Sequence, residues 1–306
     1  MKLLLSLFIA GLNNAHAANF FVSLDRYDYN TNLADIDLVY EPVGATIGAS
    51  FDVNDTAFFQ IQYGNWSENN ADVSAPGMVG SDFDSTLINI SYGFGLGRWD
   101  FYASYTDLSD EMALIHGRNA EFRSAGETDS QSFQASAAFS SDAGRWSRSV
   151  RLGLQYDESE TFASLDNINQ MVGQENDALY ATITFGADYF VSDIQTRGWF
   201  LGANASWYQE LSSNESISLI GSAPLIGTER PSFAPFLGRR GPGGNVGQAG
   251  NGAVGVNRTF GDSFGVLSVY ATYMVNESWN VDVTPSFGFG GDVNNNSLTL
   301  TLSRQF

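Results

Sequence analysis

The chain contains no cysteine, so neither a disulfide framework nor a thiolate site for metal or catalysis is open to it. Lysine is nearly absent. Lys2 is the only one, and it belongs to a stretch with the features of a secretory leader. Met1-Lys2 is a minimal basic start, Leu3 to Leu12 a short apolar run, and Ala15-His16-Ala17 an A-x-A cleavage signature. This predicts a cleaved signal peptide over 1–17 and a mature chain of 18–306. Without Lys2 the 14 cationic residues become 13 arginines facing 34 Asp plus Glu, a formal net charge of −21. Nucleic acid is a poor partner for such a balance, because its phosphates need Lys and Arg to neutralise them. A basic membrane-surface anchor is disfavoured for the same reason. Nothing after the leader approaches the ~18 consecutive apolar residues of a transmembrane helix. An exported soluble protein or a membrane barrel remains.

What is abundant is aromatic side chains, at 14%, and glycine, at 32 residues. They fall into runs of period two. Ala57, Phe59, Ile61 and Tyr63 alternate with Phe58, Gln60, Gln62 and Gly64; Thr86, Ile88, Ile90, Tyr92 and Phe94 alternate with Leu87, Asn89, Ser91 and Gly93. Similar runs start at Trp99, Phe133, Val150, Leu179, Trp199, Leu267 and Trp279. Strict alternation predicts strands with one apolar and one polar face. Each run is about ten residues, the length a tilted strand needs to cross a bilayer.

The connections alternate too. Short ones fall near 52–56, 95–98, 140–147, 192–197 and 276–278; long ones occupy about 67–83, 107–130, 158–177 and 210–262. Phe94, Trp99, Phe139, Tyr189, Trp199, Tyr273, Trp279 and Phe306 sit on the apolar parity beside short turns or the terminus. Tyr63, Tyr105, Phe133, Tyr156, Trp207 and Phe287 sit on it near long connections. Two aromatic belts at opposite strand ends match the girdles of a transmembrane barrel, whereas a soluble sandwich would bury this parity. The predicted fold is all-β: an antiparallel up-and-down transmembrane barrel of about twelve strands, in one domain over 18–306. In the first hairpin, Ile36, Leu38 and Tyr40 either extend the second strand or form one of their own. Pro285 lacks a ladder donor and predicts a bulge near the outer end of its strand.

The last strand is the most specific motif. Leu298, Leu300, Leu302 and Phe306 share one parity, and Thr299, Thr301, Ser303 and Gln305 the other. It resembles the closing strand of bacterial outer-membrane β-barrels, which ends on phenylalanine and is read by the assembly machinery. Arg304 stands where that family often has an aromatic, and at a membrane boundary it would snorkel to head groups. The resemblance covers the mature chain as a pattern. It implies the outer membrane of a Gram-negative bacterium, lipid and lipopolysaccharide as surroundings, and the barrel-assembly machinery with periplasmic chaperones as partners during insertion. Autotransporter translocators share the strand number and the terminal phenylalanine. Here strand-like sequence starts at Asn19, without the passenger and pore helix expected of them.

If the apolar parity faces lipid, the other lines the lumen: Gln60, Gln62, Asn89, Asp100, Gln134, Arg151, Asp188, Asn204 and Asp282 are the candidate pore-lining residues. They line either a water-filled pore or a closed hydrogen-bonded plug, a barrel of this size being narrow. Asp100, Asp188 and Asp282 outnumber Arg151, so a pore would favour cations. The 210–262 connection holds a Gly-rich tract, Arg239 to Gly252, and four arginines, Arg230, Arg239, Arg240 and Arg258. In general porins a long loop folds inward; by that resemblance these arginines would oppose the acidic wall. The alternative is an outer flap whose glycines give only flexibility. The tract lacks GK[ST] and is no phosphate-binding loop.

No cofactor is expected, and catalysis has little support. His116, the one histidine after the leader, lies in the loop that follows Leu108, without the His-x-Ser spacing of outer-membrane phospholipases. Acidic groups crowd the outer loops, and Asp157-Glu158-Ser159-Glu160 offers oxygen ligands for Ca²⁺ or Mg²⁺ without EF-hand spacing; the other reading is a solvated surface. Two functions follow. One is a porin-like channel for passive diffusion of small hydrophilic solutes or ions. The other is a non-conducting structural or surface-interaction barrel whose acidic loops bind ions, lipopolysaccharide or a partner.

Overall fold

Alternation commits each run to extended backbone, because only a strand sends every second side chain to the same face. The computed structural model describes residues 18–33, 36–54, 56–71, 78–116, 122–165, 170–191, 198–220, 233–234, 256–257, 263–276, 278–290 and 296–306. Its strands are β1 (Ala18–Leu33), β2 (Ile36–Tyr40), β3 (Val43–Asn54), β4 (Ala57–Ala71), β5 (Met78–Leu96), β6 (Trp99–His116), β7 (Phe122–Ala143), β8 (Trp146–Leu165), β9 (Gln170–Phe190), β10 (Gly198–Ile220), β11 (Phe233–Ala234), β12 (Val256–Asn257), β13 (Phe264–Met274), β14 (Trp279–Phe289) and β15 (Asn296–Gln305). Neighbours pair antiparallel around the ring in the order β1, β3 to β10, β13, β14, β15. β15 pairs back onto β1, from Asn19↔Gln305 to Asp28↔Asn296. Twelve strands therefore close on themselves, and the ring has no unpaired edge. Ile36, Leu38 and Tyr40 form a strand of their own, β2, paired to the far end of β1.

The short connections follow from local chemistry. Gly97 and Gly144 open two-residue turns at φ +66° and +64°, in the left-handed region where a Cβ is costly. Asn54 Oδ1 accepts from Thr56 N at 2.9 Å, and Asn276 Oδ1 accepts from Ser278 N and Trp279 N at 2.9 and 3.0 Å. These Asn-headed turns tie the β3–β4 and β13–β14 connections.

The outward face at the short-turn end is a belt of paired rings. Trp99 meets Phe139 at 5.4 Å, Trp146 meets Tyr189 at 4.9 Å, and Trp199 meets Tyr273 at 4.9 Å. At the other end Tyr105 meets Phe133 at 4.9 Å. Between the belts, Val22, Leu24, Ile47, Leu152, Leu154, Val269, Leu298, Leu300 and Leu302 are exposed on the same face. An exposed apolar band between aromatic girdles is a lipid-facing surface.

Four sequence expectations change. The regions around 107–130 and 158–177 are mostly strand rather than loop. β5 to β10 run 18 to 23 residues, about twice what a bilayer needs, so the wall continues past the second girdle. His116 accordingly ends β6 instead of sitting in a loop. The acidic residues lie on these extensions, where alternation splits Asp157-Glu158-Ser159-Glu160 between faces. Glu158 and Glu160 are exposed, while Asp157 and Ser159 are buried. Pro285 makes no bulge. The β13–β14 ladder passes from Ser268↔Ser286 to Ala271↔Val283 in one register, skipping Pro285 and the adjacent Thr284. Its missing N–H interrupts bonding without adding a residue.

Candidate functional site in the barrel lumen

The inward parity divides the lumen into unlike parts. On β14, β15, β1 and β3, joined at the edge by Thr272 of β13, it is sealed by short polar side chains, several of them bonded to one another. Ser23 Oγ and Thr301 Oγ1 lie 2.8 Å apart, Thr46 Oγ1 donates to Asp25 Oδ2 at 2.8 Å, and Thr272 and Thr284 both donate to the Asp282 carboxylate at 2.5 Å. Thr301, Thr299 and Asp282 are at most 2% exposed. Gln60 and Gln62 on β4 and Asn89 on β5 are buried as well, and Asn89 donates to Thr106 Oγ1 at 2.7 Å.

Across the barrel, the short-turn half of β6 to β10 is different. Asp100, Tyr102, Ser104, Gln134, Ser136, Ser149, Arg151, Gly153, Thr184 and Asn204 are all partly exposed. Small and uncharged side chains dominate this wall, and they leave room that the sealed side lacks. Arg151 is the only arginine of the described residues on an inward strand position, and its guanidinium lies 4.4 Å over the Tyr102 ring. Asp100, Ala138 and Arg151 form one cross-strand row.

Glycines set how far the large inward side chains reach. Gly202 lies between Asp188 on β9 and Tyr270 on β13 in a single row. With no Cβ there, the Tyr270 ring lies over Gly202 and its hydroxyl donates to Asp188 Oδ1. Gly93 likewise lies under Phe58 and beside Tyr102, whose rings meet at 6.1 Å.

Beyond these positions the lumen closes. Leu87, Thr106, Leu108, Ser132, Gln155, Tyr180, Thr182, Ser206, Tyr208 and Phe264 are at most 6% exposed. Tyr208 stacks on Phe264 at 4.4 Å with the rings 1° from parallel, and Tyr180 meets the edge of Phe264 at 6.0 Å. These aromatics sit on the polar parity, where alternation alone gives no reason to expect them. A signal existed: in Trp207-Tyr208, Trp199-Phe200, Phe101-Tyr102 and Phe20-Phe21, two consecutive aromatics cannot share one face of a strand, so one must enter the lumen.

Past the second girdle, five residues beyond Tyr105 and outside the membrane-crossing part of β6, burial pushes the Asp110 carboxyl up to about 7. A Ser85 hydrogen bond opposes that rise and the nearby Asp129 charge adds to it. The folded state thus prefers protonated Asp110. Its stabilisation is complete below the ordinary carboxylate range and is lost as pH rises through about 7. Asp110→Asn is expected to flatten the fall in urea midpoint between acidic and mildly alkaline pH, read on the refolded barrel.

Of the nine candidate lining residues, then, Gln60, Gln62, Asn89, Asp188 and Asp282 lie in tightly packed wall, while Asp100, Gln134, Arg151 and Asn204 border the partly exposed half. Within the long connection, β11 pairs with β12; β11 lies against β7 and β12 against β1, so this ladder bridges nearly opposite walls. Arg230, Arg239, Arg240 and Arg258 lie outside the described residues. Among the described residues no cluster of three His, Cys, Asp or Glu side chains could hold a metal ion.

No family model matches the sequence, nor does any curated protein. Solved structures do match the fold. The translocator domain of the autotransporter NalP from Neisseria meningitidis superposes with a TM-score of 0.63 at 12% identity, over 100% of this chain and 94% of that one. The β domain of the Bordetella autotransporter BrkA gives 0.56 at 10% identity, over 94% and 98%. The transport unit of AIDA-I from Escherichia coli gives 0.54 at 10%, over 95% and 90%. Closed on itself, with twelve antiparallel strands and an apolar outer band between aromatic belts, the chain has the fold of the bacterial outer-membrane β-barrels.

Proposed function

We propose that the protein is an integral outer-membrane barrel, its short-turn end in the periplasm, and that its lumen is a narrow porin-like conduit for passive diffusion of small hydrophilic solutes or ions. The observation that supports this is the partly exposed wall of β6 to β10, built from Ser, Thr, Gly, Asn and Gln around Arg151. Such a wall wets readily and offers a passing solute hydrogen bonds without a strong binding site. The proposal includes no catalytic step and no cofactor. Insertion would run through the assembly machinery, which would read the Leu298, Leu300, Leu302 and Phe306 face.

The packed layer around Tyr208 and Phe264 favours a second reading, a barrel that holds its shape and does not conduct. Single-channel recording of the refolded protein in a planar bilayer, with reversal potential across a KCl gradient, separates the two. Small, stable steps support the conduit; a folded barrel that never conducts overturns it. Arg151→Gln provides an internal check. Removing the cation from the open wall while Asp100 stays is expected to raise the cation preference several-fold, with little change in folding.

A further inference from the structure

Outward-facing charge is largely sorted by strand end, with Arg26, which pairs with Glu41, the exception at the long-loop end. On the outward parity of the long-loop end stand carboxylates, among them Asp84, Asp107, Asp129, Glu158, Glu175 and Asp177. On the same parity near the short turns, the charged side chains of the described residues are Arg148 and Arg304. Arg304 is the one that sits in a built surround. It faces Trp279 on β14 and Phe20 on β1 in a single row at the seam where the barrel closes. Its guanidinium lies 4.2 Å over the Phe306 ring and 5.3 Å from the centre of Trp279, and Phe20 closes the group edge-on to Phe306 at 5.5 Å. The arginine is exposed, and among the described residues no carboxylate, the terminal one included, lies within ion-pairing distance of it.

From this arrangement we propose that Arg304 holds the phosphate of a phospholipid of the periplasmic leaflet, with Trp279, Phe20 and Phe306 packing against the glycerol and upper acyl chains. The inference rests on the membrane placement above. Aromatic faces fix the guanidinium plane and leave its N–H edge for a ligand, and a planar fork suits a phosphate better than a point charge does. The level is right as well, since the ring belt marks the head-group boundary. The acidic far end would repel the same lipid, so the site is specific to one leaflet. Arg148 has no comparable ring surround described and serves as the control.

Native mass spectrometry of the detergent-solubilised, folded barrel tests this with dioleoyl phosphatidylglycerol and dioleoylglycerol, which share tails and differ in the phosphate head. Wild type should retain the phospholipid about tenfold better, the effect of one charged hydrogen-bonded contact. Arg304→Gln should erase that preference and Arg148→Gln should keep it. Glycerol 3-phosphate at matched concentration should not displace the lipid. Equal retention of both lipids by wild type, an unchanged preference in folded Arg304→Gln, or displacement by glycerol 3-phosphate would each overturn the proposal. Should Arg304→Gln not fold, the wild-type lipid comparison decides alone. A wild-type chain that refolds only in water and never enters vesicles would instead bring down the membrane reading itself.

Discussion

Gly202→Ala is expected to lose most of the stability of the refolded barrel, although it adds only one methyl group. A Cβ at that position would overlap the Tyr270 ring and the Asp188 carboxylate together. The backbone of β10 cannot yield at this point, because Gly202 is paired on both sides, to Asp188 of β9 and Tyr270 of β13. The ring must therefore swing away. Asp188, 8% exposed, would lose the hydroxyl that donates to it, at about 1–3 kcal/mol or more for a charged acceptor. Tyr270 would also lose its edge contact with Phe200 at 6.4 Å, and overpacking adds about 1–3 kcal/mol. Urea unfolding in lipid, followed by the heat-dependent shift in gel mobility of folded barrels, reads the loss. The cycle with Tyr270→Ala carries the argument further. Once the ring is gone, the added methyl meets only the Asp188 carboxylate, a side-chain end that can turn into the space the ring has left, so Gly202→Ala should cost little in that background. Additive effects would mean that Gly202 matters for backbone freedom and not for the ring above it.

How much of this was legible in the sequence depends on what each face touches. Between the girdles, lipid demands an apolar outward face, so Ile61, Ile90, Leu152, Val283 and Leu300 announce their strands by parity. Strand number, closure and both aromatic belts follow from that one constraint. Past the second girdle water wets the outward face, and Asp107, Asp129, Glu158 and Asp177 carry no apolar alternation. The backbone nevertheless continues to pair, as Asp129↔Glu160 and Glu158↔Asp177 do. Extensions of this kind read as loops because hydrogen bonding, unlike burial, leaves no compositional trace. The lumen was legible in parity and not in depth. Gln62 and Gln134 look alike in sequence, yet one is sealed and the other partly exposed. That difference comes from neighbours two or more strands away, such as the rings lying over glycines.

The second large effect is expected in the lumen. Truncating Phe264 to Ala removes the platform on which Tyr208 stacks and against which Tyr180 packs. All three are at most 2% exposed, so the vacated volume lies within the layer that closes the far half of the barrel. Two consequences separate the readings of this layer. Losing a buried aromatic costs about 3–5 kcal/mol in a packed core, and the urea midpoint should fall accordingly. If the wall around Arg151 is one half of a conduit, this layer is its narrowest part, and Phe264→Ala with Tyr208→Ala should raise single-channel conductance several-fold while ion preference, set lower down by Asp100 and Arg151, stays as in wild type. The surrounding side chains argue that the opening would fill with water rather than collapse. Thr182, Gln155 and Ser206 line the layer and supply the polar partners that a water file needs. Conductance that stays at the wild-type level despite the lost stability would place the restriction elsewhere, and the β11–β12 ladder bridging β7 and β1 is then the next element to remove.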